Sequence, residues 1–380
     1  LLRRRSIHPE DTDMLATATA TGFESYRTLS DEQCEPRIVA ARAALGERAV
    51  ILGHHYQRAE VYRHAQLTGD SLQLSRLAAQ TPAQYIVFCG VHFMAEVADI
   101  LTGPEQMAIL PDLAAGCSMA DMANLAKVER AWREIAEVLD PDQHVTPVTY
   151  INSAADLKAF CGEHGGIVCT SSNARPILQW SFARRDKVLF FPDQHLGRWT
   201  GYLMDIPTSE MLVWDPDEPM GGLTAQQIKL ARILLWKGHC SVHQMFQAQH
   251  ILRWRQQHPS GMVISHPECN FEVCKLSDYV GSTDFIIRTI AASAPGSRWL
   301  VGTELNLVNR IAEQFKSQGK VVQFMAPTVC VCSTMARIDP QHLAWCLENL
   351  AAGRVVNRIR VPEQEARLAK LALERMLQVC

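Results

Sequence analysis

One pattern constrains this chain more than any other. From about residue 36 onward a short apolar run stops at Gly, Pro, Ser, Asn, His or Asp, and a stretch with apolar residues spaced by three and four follows. Ten such runs occur: AVILGHHYQ, YIVFCGVHF, MAILPDLAAGCS, VTPVTYINS, GIVCTSSN, KVLFFPDQH, ILLWKGHCS, GMVISHPEC, RWLVGTELN and VVQFMAPTV. An apolar run without polar alternation suits a strand buried on both faces, as parallel strands covered by helices are. Segments such as AEVADIL, SAADLKAF and NLVNRIAEQF carry the period of helices with one face on a sheet. Regular alternation of the two predicts an α/β protein with parallel sheets.

Residues 1–35, which include LATATATG, lack the pattern and are expected to form a flexible extension. The 380 residues are enough for two or three domains. With 47% hydrophobic and 20% charged residues and a formal charge of -3, the composition is that of a soluble globular protein with no nucleic-acid surface. The opening LLRRRSIHPEDTD has no apolar core of a signal peptide, and no stretch approaches the ~18 apolar residues of a membrane span. These features predict a cytoplasmic protein without membrane contact. In that reducing compartment twelve cysteines are not a disulfide framework, so each is a buried apolar residue, a metal ligand or a reactive thiol.

Three of the twelve, Cys117, Cys240 and Cys332, are followed by serine, and each comes a few residues after an apolar run. They predict three related units, each presenting a cysteine beyond the C-terminal end of a strand. The expected units are 36–117, completed by 333–380, then 118–215 and 216–332. The final helix, opening at Pro362 with Leu368, Leu371 and Met376 on its apolar side, is expected to pack on the first unit.

Ligands of open α/β sheets bind beyond the carboxyl ends of the strands. Those ends carry His54, Tyr56, Tyr150, Asn152, Ser171, Asp193, His195, His243, His266, Glu268, Thr303 and Glu304 beside the three cysteines. Asn, Ser and Asp there also serve as plain helix caps. Three converging thiolates suit a metal. A zinc ion would add a fourth protein ligand such as a histidine; a [4Fe–4S] cluster would be held through three irons and leave the fourth open as a Lewis acid. Spacing alone does not separate the two. The loops TGDSLQLS, CTSSNA and GSTDF offer hydroxyls and backbone N–H groups where helices begin, which suits phosphate or carboxylate. With Arg198 and Lys237 near strand ends, they point to a small anionic substrate.

Taken in order, GHHYQ, TGDSLQLS, VHFMAEVADIL, AGCSMAD, YINSAADLKA, CTSSNA, PDQHLGR, KGHCSVH, SHPEC, VGSTDFI, GTELNLVNRI and CSTMARI closely resemble the quinolinate synthase family, from about residue 38 to the C-terminus. The resemblance implies three similar αβα domains in pseudo-threefold arrangement around a central [4Fe–4S] cluster held by Cys117, Cys240 and Cys332, with Cys330 not a ligand. It implies condensation of iminoaspartate with dihydroxyacetone phosphate to quinolinate, with loss of phosphate and water, for NAD biosynthesis. An aspartate-oxidising enzyme would supply the iminoaspartate, and the open iron would assist the dehydration. By the same resemblance His54, Ser71, Tyr150, Asn152, Ser171, His243, His266, Glu268, Ser282 and Thr283 bind substrate, and His54, Tyr56 and Glu268 move protons. Two other classes also account for the cysteines: a zinc-dependent hydrolase or lyase, and a non-enzymatic iron–sulfur sensor. The sensor leaves the hydroxyl loops and SHPEC without a purpose.

Overall fold

The computed structural model describes residues 22–328 and 331–379 and resolves the strand pattern into three separate sheets. The first contains β1 (Ala49–His54), β2 (Leu67–Gly69), β3 (Tyr85–Cys89) and β4 (Met107–Ile109). The second contains β5 (Val145–Tyr150), β6 (Ile167–Cys169), β7 (Lys187–Phe191), β8 (Met211–Trp214) and β9 (Ile233–Trp236). The third contains β10 (Met262–Ser265), β11 (Tyr279–Val280), β12 (Arg298–Gly302) and β13 (Val321–Phe324). Every strand pair within these sheets is parallel.

The strand orders make the repeat explicit. They run β2-β1-β3-β4, β6-β5-β7-β9-β8 and β11-β10-β12-β13, so the first and third units share one topology and the second adds β8 at its edge. The ten strands expected from sequence are all present. The three that sequence reading missed, β2, β8 and β11, lie at sheet edges, and each carries partly exposed residues. An edge strand is covered less completely and needs no continuous apolar run.

The expected boundary near residue 216 falls between β8 and β9, two strands of one sheet with Met211 in register with Ile233. Residues 200–222 are thus mostly the approach to, and exit from, an added edge strand. Of the expected N-terminal extension, residues 22–35 are ordered: Ser30 caps the helix Asp31–Leu45 in a reciprocal arrangement with Gln33, and Phe23 stacks on His342. The rest of that extension lies outside the described residues. The helix Pro340–Ala351 packs on Asp31–Leu45. The last helix, Glu363–Val379, instead packs chiefly on the helix Ala155–Glu163 of the second unit, and less on the first. Its buried stripe is Ala369, Ala372, Leu373 and Met376, whereas Leu371 is exposed. Gly162 sets this approach, since a Cβ there would stand 1.9 Å from the Leu368 carbonyl oxygen.

One apolar core runs through the first and second units and the C-terminal helices. The third unit keeps two clusters of its own, with neighbouring Val263 and Ile264 pointing to opposite faces of its sheet. Among the described residues no helix is long and apolar enough to cross a membrane.

Candidate active site

The repeat delivers equivalent residues to one place. After the first strand of each unit come His54 and Tyr56, Tyr150 and Asn152, and His266 and Glu268, always two residues apart. After the second strand come Ser71, Ser171, and Ser282 with Thr283, where the helices Ser71–Gln80, Ala174–Phe182 and Thr283–Ala292 begin or are about to begin. After the last strand of each unit in chain order come Cys117, Cys240 and Cys332. Each cysteine opens the same turn: its carbonyl accepts the N–H of the residue four places on (Asp121, Gln244 and Ala336), and a short 3-10 helix starts three places on, at Ala120, His243 and Met335.

These elements close around one cavity. It is lined by His54, Tyr56, Ser71, Tyr150, Asn152, Ser171, His243, His266, Glu268, Thr283 and all three cysteines. Ser282 does not line it; its side chain caps Thr283–Ala292 by accepting the Phe285 N–H. Cys330 lies outside the described residues. Among the described residues no lysine or arginine lines the cavity. Lys237, expected near a bound anion, is exposed and paired with Asp215 at 2.5 Å, and Arg198 is not among the lining residues.

Glu268 is the hub. Its Oε1 accepts the Tyr150 hydroxyl at 2.6 Å, and Oε2 stands 2.9 Å from His243 Nδ1, close but not aligned for a hydrogen bond. Burial opposes ionisation of Glu268, but the His266 and His243 rings and the hydrogen-bonding partners outweigh it and hold the carboxyl below its ordinary range. Burial lowers His266 to about 3 and His54 well below the usual histidine value, so both rings are neutral near pH 7. His54 Nδ1 accepts the Tyr56 N–H at 3.1 Å, which leaves the ring hydrogen on Nε2. Burial also raises the phenols of Tyr56 and Tyr150 well above their ordinary value, so both are protonated.

Four polar atoms of lining residues are buried without a hydrogen-bond partner among the described residues: both ring nitrogens of His243, Asn152 Oδ1 and Thr283 Oγ1. Buried polar atoms are costly unless satisfied, so this set marks a place built for a ligand.

The cysteines fit a metal centre. All three are free thiols that line the cavity. They do not all lie within 4.8 Å of one another, because the group of three or more donors that close, among the described residues, is Cys240, His243 and Glu268. Sulfurs sharing one tetrahedral zinc at about 2.3 Å would stand roughly 3.8 Å apart. At least one pair of the three sulfurs therefore stands farther apart than the thiolates of one bound zinc would.

A family profile described as quinolinate synthetase A protein matches residues 37–378. The chain belongs to that family. It is 55% identical over 369 residues to the quinolinate synthase of Rhodopirellula baltica, covering 94% of this chain and 93% of the relative. It is 54% identical to that of Herpetosiphon aurantiacus (94% and 95% covered) and 52% identical to that of Corynebacterium glutamicum (94% and 90%).

For this family member, sequence reading missed part of the wall. Asp70 lines the cavity, accepts the Ser172 hydroxyl at 2.6 Å and caps Ser71–Gln80; its place in TGDSLQLS was the available signal. Val91, Phe93, Met94, Met119 and Met335 supply apolar wall and carry no chemical signature in sequence. A second omission is a set of contacts from the third unit to the loop that bears Tyr56. Arg310 donates to the carbonyls of His55 and Gln57, Asn306 Nδ2 donates to that of Tyr56, and Thr303 Oγ1 lies 2.8 Å from the Tyr56 hydroxyl. Three consecutive carbonyls of the first unit are thus held by one helix of the third.

Proposed function

We propose that this protein is a cytoplasmic quinolinate synthase, joining iminoaspartate and dihydroxyacetone phosphate with loss of phosphate and water, in the synthesis of NAD. An aspartate-oxidising enzyme supplies the iminoaspartate. Cys117, Cys240 and Cys332 hold a [4Fe–4S] cluster, a reading supported by the convergence of all three on one cavity. Bound there, the cluster supplies a Lewis-acidic iron without a protein thiolate for the hydroxyl that leaves.

The chain's own groups divide the remaining work. Ser71, Ser171 and Thr283, at or beside helix starts, hold carboxylate and phosphate oxygens through hydroxyls and backbone N–H groups, which suits a cavity lined, among the described residues, by no lysine or arginine. Tyr150, Asn152, His243 and His266 orient the aspartate-derived part. Glu268, ionised, takes up and returns a proton at the substrate carbon nearest it. Tyr56, protonated, donates from its hydroxyl, and His54 donates a hydrogen bond from Nε2. The apolar wall of Val91, Phe93 and Met94 limits water near the reacting atoms.

The observation that carries the reading is the meeting, in one cavity, of three equivalent cysteines with orphaned buried polar atoms from the second and third units. The test is anaerobic reconstitution with iron and sulfide, followed by assay with iminoaspartate generated in place and dihydroxyacetone phosphate. Quinolinate and phosphate should appear in equal amounts. A fully loaded protein that forms neither removes the proposal.

A further inference from the structure

The repeated cysteine turn is broken in its chemistry at one position. Three places after the cysteine the units carry Ala120, His243 and Met335, so only the second unit sets an imidazole beside its thiol. Glu268, from the end of β10, completes the group: donor atoms of Cys240, His243 and Glu268 all lie within 4.8 Å of one another. His243 is fully buried and neither ring nitrogen has a hydrogen-bond partner among the described residues. Glu268 is buried, with Oε2 2.9 Å from His243 Nδ1. Thiolate, imidazole and carboxylate are the donors zinc prefers, and three of them with a fourth position open to a cavity form a recognised zinc geometry. Donors sharing a tetrahedral zinc stand roughly 3.3–3.8 Å apart, so side-chain adjustment of about 1 Å closes the site.

We propose that the cluster-free chain binds one Zn²⁺ through Cys240, His243 and Glu268, with the fourth position facing the cavity. On binding, the Cys240 S–H bond breaks, its proton passes to solvent and the Sγ–Zn bond forms; His243 contributes a ring-nitrogen lone pair and Glu268 a carboxylate oxygen. The ion removes one thiolate from cluster assembly and occupies two groups of the cavity, so zinc and cluster exclude each other. This inference rests on donor positions and not on the reaction proposed above.

The test uses no activity. Zinc is titrated against a chromophoric chelator into the chain prepared without iron or sulfide, in the parent, in Cys117→Ala/Cys332→Ala and in His243→Ala. The parent should bind one zinc, the double variant should keep it within about threefold, and His243→Ala should weaken it by at least about 100-fold, more than loss of an outer-shell partner costs. No zinc bound by the parent, or loss in the double variant with retention in His243→Ala, overturns the proposal. Should a variant fail to fold, Co²⁺ in the parent decides: a tetrahedral spectrum with charge transfer from a single thiolate is expected, and one with three thiolates contradicts it.

Discussion

Replacing Glu268 by Gln separates chemistry from architecture. The amide matches the carboxylate in size and keeps an oxygen to accept the Tyr150 hydroxyl, now 2.6 Å from Oε1. What it loses structurally is the charge on one acceptor and the contact to His243 Nδ1 at 2.9 Å. Exchanging a charged for a neutral acceptor costs about 1 kcal/mol, less than tenfold in binding, and removing a buried charge relieves desolvation. A group that takes up and returns a proton contributes ~10²–10⁴-fold, or about 2.7–5.4 kcal/mol of barrier. Glu268→Gln should therefore keep its iron and its thermal midpoint while turnover falls by at least ~100-fold. The assay is steady-state quinolinate formation by anaerobically reconstituted protein, normalised to iron. Turnover within about tenfold of the parent, with iron unchanged, would refute the reasoning and leave Tyr56 and His54 as the proton-moving groups.

Arg310→Ala removes the N–H donors to the His55 and Gln57 carbonyls and should lower kcat by ~10–100-fold at unchanged iron content, judged from the ~1–3 kcal/mol of such bonds; an unchanged kcat would show that Tyr56 needs no support from the third unit. Burial lowers His55 to about 4 and His266 to about 3, against ~6.5 in the unfolded chain, so both stay neutral in the fold while the unfolded state gains protons as pH falls. Their contribution is complete above about pH 6.5 and lost below it, by up to ~1.4 kcal/mol per pH unit each, so the unfolding midpoint of the cluster-free chain should drop steadily from pH 7 to 5; a flat profile would contradict the burial argument. Gly162→Ala would press a Cβ against the Leu368 carbonyl, and the shift of the last helix should cost ~1–3 kcal/mol, read as a lower thermal midpoint with iron content preserved.

What the sequence disclosed follows from which residues are constrained twice. The seven inner strands were legible because burial on both faces demands a continuous apolar run, and the edge strands β4, β6 and β13 because their sequences are nonetheless largely apolar. LTG in β2 and YV in β11 carry no such demand, and MLVW in β8 sits in a segment dominated by Pro, Gly and Asp. The Cys-Ser pairs look slight as sequence, yet they mark a turn repeated with the same backbone hydrogen bond in all three units. Polar site residues stood out because His, Tyr and Glu at strand ends are unusual; the methionines and valine of the wall resemble any core residue. Charge misled: Lys237 follows a strand end, but it turns to Asp215 at the surface, and no local pattern reveals that direction. The contacts from Arg310 and Asn306 to residues 55–57 join parts of the chain some 250 positions apart, beyond any local reading.

The central claim, that one cysteine from each unit holds a polynuclear iron–sulfur centre, is tested most directly by iron and sulfide analysis of anaerobically reconstituted protein with Cys117, Cys240, Cys330 or Cys332 changed singly to Ala. The account predicts about four irons and four sulfides per chain in the parent and in Cys330→Ala, and loss of both in the other three variants. Full iron and sulfide in Cys332→Ala, or their loss in Cys330→Ala, would contradict it.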